Sequence, residues 1–156
     1  MKKWIALLPA AAVMILIFVH SAMDADTSLA ESNWFTDLIE ALFPGAFSGE
    51  SLTFFVRKTG HFMEYLLLGL TLRWGIGKLI SRRPLLTAWV VGTAYAVTDE
   101  IHQLFVPGRS CEFRDICIDA AGVLVGAVIM TLVMRARTRR QQQRLNLPGN
   151  DENDIL

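Results

Sequence analysis

Four apolar runs, each close to the twenty or so residues that a helix needs to cross a bilayer, constrain this chain more than any other feature. They are Trp4 to Ala22, Phe54 to Trp74, Leu85 to Val106 and Ile116 to Met134. Hydrophobic residues make up 53% of the 156, and the mean hydropathy is +0.38, which is too apolar for an ordinary soluble domain. Basic residues assign the sides. Lys2 and Lys3, then Lys78, Arg82 and Arg83, then the arginines from Arg135 to Arg144 fall at alternate ends of the runs. All are placed correctly by an all-α membrane protein with four transmembrane helices and both termini cytoplasmic. The expected domain is 1–135, followed by a basic then polar cytoplasmic tail, 136–156, whose stretch from Gln141 onward lacks periodicity and is expected to be disordered.

The first run also resembles the opening of a signal peptide, but no clean small-x-small site follows it, and Met23 is badly placed for one. Retention as a helix is expected. Between the first two runs, Asp24 to Asn33 is polar and reads as loop, whereas WFTDLIEALFPGAF puts Phe35, Leu38, Ile39 and Leu42 on one helical face and ends at Pro44-Gly45. Two placements stand for that helix: flat in the outer interface, or packed over the mouth of the bundle. Formal net charge is zero, and no basic patch with interleaved aromatics suggests a nucleic-acid partner. Cys111 and Cys117 match no zinc motif. Both fall on the outer side, where two unpaired thiols are expected over a disulfide.

Ionisable side chains gather at one level of this apolar chain. In the second run Lys58, His61 and Glu64 recur every third residue, with Tyr65 seven beyond Lys58, so they share a face that descends about 10 Å at 1.5 Å per residue. Arg73 then falls at the cytoplasmic interface. In the third run Tyr95, Asp99 and His102 share a face, with Gln103 beside them, while Glu100 points about 100° away, toward headgroups or a neighbouring helix. The fourth run opens with Asp115 and Asp119 one turn apart, and its Gly122 and Gly126 suit close helix packing. Asp115 also fits the N-cap of that helix. Arg109 lies in the outer PGRS loop. Charges at this depth cost several kcal/mol each unless paired or solvated. A network that only holds helices in register would satisfy that rule, but three helices and a loop supplying one level is more than register needs.

The segments RKTGHFMEYLLLGL, AYAVTDEIHQLFVPGRS and RDICIDAAGVLVG resemble, in that order, the motifs of the VanZ-like family of small bacterial membrane proteins. The resemblance covers about residues 55–126, with Ser21 of the first run in the place the family leads one to expect. K-x-x-H-x-x-E-Y, D-E-x-H-Q-x-F-x-P-x-R and D-x-x-x-D-x-x-G are all filled, by Lys58, His61, Glu64, Tyr65, Asp99, Glu100, His102, Gln103, Arg109, Asp115, Asp119 and Gly122. The family takes its name from a protein associated with resistance to teicoplanin-type glycopeptides, which act at the outer face of the bacterial membrane. The resemblance thus implies a place, the bacterial inner (cytoplasmic) membrane with the site on the extracytoplasmic side, more firmly than a reaction.

The residues themselves suggest chemistry on a lipid-linked phosphate or lipid headgroup, by hydrolysis or by transfer. Lys58 and Arg109 would hold phosphate oxygens, with Tyr65, Tyr95, Gln103 and Asp115 completing substrate binding. His102 or His61 would act as nucleophile or general acid/base, with Asp99 orienting the His102 ring and Glu64, Glu100 and Asp119 as further acid/base candidates. No cofactor is specified. A divalent metal among His61, Glu64, Asp99, His102 and Asp119 is compatible with the spacings but matches no signature. The alternative is non-catalytic binding or shielding of an envelope lipid precursor. An ion-coupled carrier ranks last, because the inner halves of the helices are apolar and four helices would need a homo-oligomer to alternate access.

Overall fold

The computed structural model describes residues 3–23, 25–42, 49–80, 82–109 and 111–145, with backbone alone at 25–32 and 49–51. Among them the fold is all-α: a 3₁₀ turn Lys3–Leu7 leads into α1 (Leu8–Ser21), followed by α2 (Ala25–Leu42), α3 (Gly49–Leu79), α4 (Pro84–Gln103) and α5 (Phe113–Leu145). α3 touches every other helix, and its most extensive partner is α5.

The packing explains the glycines. A Cβ at Gly126 would strike the Leu66 carbonyl, one at Gly122 the Phe62 carbonyl, and one at Gly69 the Val123 carbonyl. With hydrogen at those positions α3 and α5 approach backbone to backbone, as small-residue interfaces allow in lipid. Gly92 gives α4 the same freedom against the side chain of Val123. Trp89 then pins α4 to α5 by donating its Nε1–H to the Ala120 carbonyl at 3.2 Å. α1 buries one stripe, Ala10, Val13, Ile17 and Ser21, against the bundle. Its other faces expose Ile15, Leu16, Phe18 and Val19. Exposed leucines, valines and isoleucines also cover α4 and α5. An exterior of that kind, around a core rich in Ala and Gly, suits lipid and not water.

Among the described residues two helical segments, Lys3–Ser21 and Phe113–Leu145, are long and apolar enough to cross a membrane by length and composition. α3 and α4 carry the ionisable residues discussed below, which lower their hydropathy.

Three expectations change. The polar stretch after Asp24 is not loop, because α2 already begins at Ala25. α5 does not stop at Met134, where the apolar run ends: Arg, Gln, Ala and Leu are good helix formers, and they carry it to Leu145, through the first residues expected to be disordered. Asp115 is not an N-cap, since α5 starts two residues earlier and places it in the first turn. The Pro44-Gly45 stop and residues 146–156 lie outside the described residues. α2 docks through Thr36, buried and 3.3 Å from the hydroxyl of Thr53 on α3, while Phe35, Leu38 and Leu42 stay exposed. Cys111 and Cys117 are both free and exposed, as expected.

Candidate functional site

The polar residues collect at one end of the bundle, where α1 ends, α4 ends and α5 begins. Two carboxylates form the deepest layer. Asp99 on α4 is 4% exposed and Asp119 on α5 is 2% exposed, and each lies within the other's electrostatic field. Tyr65 of α3, completely buried, and Ser21 of α1 turn their hydroxyls toward Asp99. Gln103, one turn along α4, donates to Asp99 Oδ2 at 3.4 Å.

This layer is left with open hydrogen-bonding capacity. Among the described residues, Asp119 Oδ1 and His102 Nε2 are buried with no hydrogen-bond partner, and Ser21 Oγ, Tyr65 OH and Asp99 Oδ1 face one another without a bond of good geometry. Native structures leave few such atoms, and each one requires an explanation. Here they come from α1, α3, α4 and α5 at one level of the bundle.

Above the carboxylates stands a partly neutralised rim. Lys58 on α3 meets both oxygens of Asp115 on α5 at 2.5 Å, with its ammonium 5.4 Å from the centre of the Phe54 ring. His61, one turn deeper, sits in the field of Arg109, Lys58, Asp115 and Arg57. The loop between α4 and α5 turns at Gly108, whose φ of 73° belongs to the left-handed region that glycine enters freely. That turn brings Arg109 back over α1, where its Nε–H donates to the Met23 carbonyl at 3.3 Å. Glu100, 1% exposed, faces the same loop and accepts the backbone N–H of Glu112 at 2.6 Å.

The expected residues therefore divide by what they touch. Asp99, Asp119, Tyr65, Gln103 and His102 meet in the buried polar layer. Glu100 holds the loop, and Tyr95 holds α1 by donating its hydroxyl to the Met14 carbonyl at 2.6 Å. Lys58 and Asp115 are engaged with each other. Asp99 does not orient His102 by a hydrogen bond: its amide partner is Gln103, and the His102 ring stacks on Phe18 of α1, centroids 4.7 Å apart. No group of three or more His, Cys, Asp or Glu side chains among the described residues could hold a metal ion, so His61, Glu64, Asp99, His102 and Asp119 do not form the compatible metal set. Sequence reasoning misses His20. Its Nδ1 lies 2.5 Å from Glu64 Oε1, joining α1 to α3. A histidine at the end of an otherwise apolar run is the available signal.

A family model described as VanZ/LLP1 matches residues 6–134. The chain belongs to the VanZ/LLP1 family. No curated protein and no solved structure matches it. The VanZ/LLP1 match opens within the turn before α1 and closes in α5, so it spans every helix that contributes to the polar layer. Ser21 and His20 on α1 thus lie inside the VanZ/LLP1 region together with the motifs on α3, α4 and α5.

Below the polar layer, a cavity of about 580 Å³ opens between α1, α3 and α4, lined by Leu7, Ala10, Met14, Leu72, Ile76 and Val91 among others. Its upper wall includes Met14, whose carbonyl holds Tyr95. The cavity runs from Met14 toward Trp4, Leu79, Ile80 and Thr87 at the other end of the helices.

Proposed function

We propose that this VanZ/LLP1 protein crosses the bacterial cytoplasmic membrane four times, with both termini inside, and acts on a lipid-linked phosphate or lipid headgroup in the outer leaflet. α1, α3, α4 and α5 are the four spans, α2 lies along the outer interface on its exposed Phe35, Leu38 and Leu42, and the basic ends of α3 and α5 face the cytoplasm. The observation that carries the reading is the convergence of Ser21, Tyr65, Asp99, Asp119 and His102 from four helices in one buried polar layer, beneath a rim holding Arg109, His61 and Lys58. A phosphorylated lipid fits that order. Its anion meets the cationic rim, its reacting ester descends to the carboxylates, and its tails stay in lipid.

In this reading Arg109 grips phosphate oxygens with His61 beside it, and Lys58 contributes by exchanging part of its contact with Asp115. Asp99 and Asp119 accept and return the proton that hydrolysis or transfer must move, and His102 Nε2 serves as nucleophile or proton carrier. Glu100, Tyr95 and Glu64 position the loop and α1. Glycopeptides act at the same outer face, so altered teicoplanin susceptibility is one expected consequence of the activity.

Non-catalytic binding or shielding of a lipid precursor is the second reading. The mutual engagement of Lys58 with Asp115 and of Tyr95 with Met14 favours it, because several of the polar groups are satisfied without a substrate. Co-purified lipid separates the two. For an enzyme, Asp99→Asn retains lipid and loses turnover. For a binder, Arg109→Ala loses lipid, and Asp99→Asn changes neither the retained lipid nor the cellular phenotype.

A further inference from the structure

At the opposite end of the bundle α3 and α5 flank an open pocket of about 410 Å³, lined by Thr71, Trp74, Lys78, Met134, Arg137 and Thr138 among others. Its composition is graded along the helices. Trp74, Met130, Val133 and Met134 make an apolar wall, and Lys78, Arg137 and Thr138 lie toward the helix ends. The Lys78 ammonium stands 5.7 Å from the centre of the Trp74 ring.

Behind this wall sits a buried cation. Arg73 is 8% exposed. It donates through Nε to the Thr131 hydroxyl at 2.8 Å and through Nη1 to the Met134 sulfur at 3.5 Å. Its guanidinium lies along α3 against Gly77, where a Cβ would collide with Nη1. A guanidinium has five N–H donors and normally meets an anion when buried. No carboxylate among the described residues pairs with it, and Arg135 lies close enough to repel it. The sequence makes this general: no Asp or Glu occurs from Tyr65 to Thr98 or from Ala120 to Asn150. Arg73, Lys78, Arg135 and Arg137 therefore concentrate positive charge where the adjoining helices supply none of the opposite sign.

We infer that this pocket binds the headgroup of an anionic phospholipid from the cytoplasmic leaflet. Lys78 and Arg137 contact the phosphate, and Arg73 adds its field from behind; the Thr138 hydroxyl is already donated to the Met134 carbonyl at 3.1 Å. Trp74, Val133 and Met134 receive the upper acyl chain. Basic pockets between transmembrane helices on the cytoplasmic side suit such headgroups in chemistry and in depth. The site rests on the proposed topology, is separate from the Asp99 layer, and stands whether or not that layer is catalytic.

The test is native mass spectrometry of the full chain taken from bilayers holding equal amounts of phosphatidylglycerol and phosphatidylcholine. Wild type should retain phosphatidylglycerol preferentially, and millimolar inorganic phosphate should not displace it. Lys78→Gln with Arg137→Gln, both exposed positions, should weaken retention about thirtyfold, while Arg140→Gln with Arg144→Gln removes the same charge further along α5 and should leave it nearly intact. Equal losses in the two double variants would reduce the effect to general surface charge and overturn the site, as would retention without headgroup preference. Displacement by free phosphate would assign the cations to a soluble anion and overturn the lipid reading. Preference seen only after removal of residues 146–156 would assign them to the tail's Asp151, Glu152 and Asp154, with the same consequence.

Discussion

Lys58 on α3 holds both carboxylate oxygens of Asp115 on α5, at 2.5 Å each. The pair closes the mouth of the α3–α5 interface directly above the layer formed by Asp119 and Tyr65. Both side chains are largely buried, at 10% and 18% exposure, so the pair has left most of its hydration and each member depends on the other.

Removing one partner should therefore cost more than removing both. Lys58→Met strands a carboxylate and is expected to destabilise the protein by about 3 kcal/mol. Lys58→Met with Asp115→Leu should recover most of that loss. Thermal unfolding in detergent across this double-mutant cycle reads the difference. Strictly additive losses would show that the pair is not coupled.

The α3–α5 seam gives a second contrast. Gly126→Ala pushes a methyl into the Leu66 carbonyl, with backbone on both sides and no flexible neighbour to yield. Overpacking of this kind costs about 1–3 kcal/mol. Gly60, on the same helix as Leu66, has nothing within 4 Å of an added methyl, so Gly60→Ala is expected to be neutral or stabilising, by up to about 1 kcal/mol. Unfolding midpoints that fall equally for the two variants would contradict the packing described.

Glu100 offers a local test. Glu100→Ala leaves the half-buried N–H of Glu112 without its acceptor, at a cost of about 1 kcal/mol. Glu100→Gln keeps a carbonyl oxygen for that bond and should cost less. Hydrogen exchange at the Glu112 amide should rise in the alanine variant and stay near wild type in the glutamine variant. Exchange that rises equally in both would place the carboxylate charge, and not the acceptor, at the centre of its role.

Cys111 tests the sidedness. It is exposed and unpaired in the loop before α5, close to Arg109. In intact cells or spheroplasts carrying Cys117→Ser, a membrane-impermeant maleimide added outside should label Cys111. Labelling only after lysis would invert the proposed topology.

The helices and their polar faces are legible in the sequence because period and composition act locally. Lys58, His61, Glu64 and Tyr65 on one face, and Asp99 with Gln103 on another, follow from 3.6 residues per turn. Partner choice does not follow from spacing. Asp99 has His102 three residues on and Gln103 four residues on, and only packing decides that the ring goes to Phe18 and the amide to the carboxylate. His20 and Glu64 are 44 residues apart, and no local pattern joins them. The start of α2 and the end of α5 resemble loop in their polarity and lack of period, although Ala, Leu, Glu, Arg and Gln form helix readily without an apolar stripe. Gly69 of α3, which receives α5, is equally silent, because a small residue signals close approach only once its facing backbone is known. Arg73 belongs at the basic end by its position in the sequence, but its want of a counter-ion becomes visible only with Thr131 and Met134 beside it.

The most direct test of the central claim is turnover by the purified protein in liposomes offered polyprenyl phosphates, polyprenyl pyrophosphates and phospholipids. Products are read by mass spectrometry, with Asp99→Asn and Asp119→Asn as matched samples. The expected result is one new lipid species made by wild type and reduced at least about a hundredfold by either substitution, with bound lipid unchanged. A product formed equally by wild type and both variants, or no product alongside lipid that Arg109→Ala releases, would contradict catalysis by the buried carboxylates.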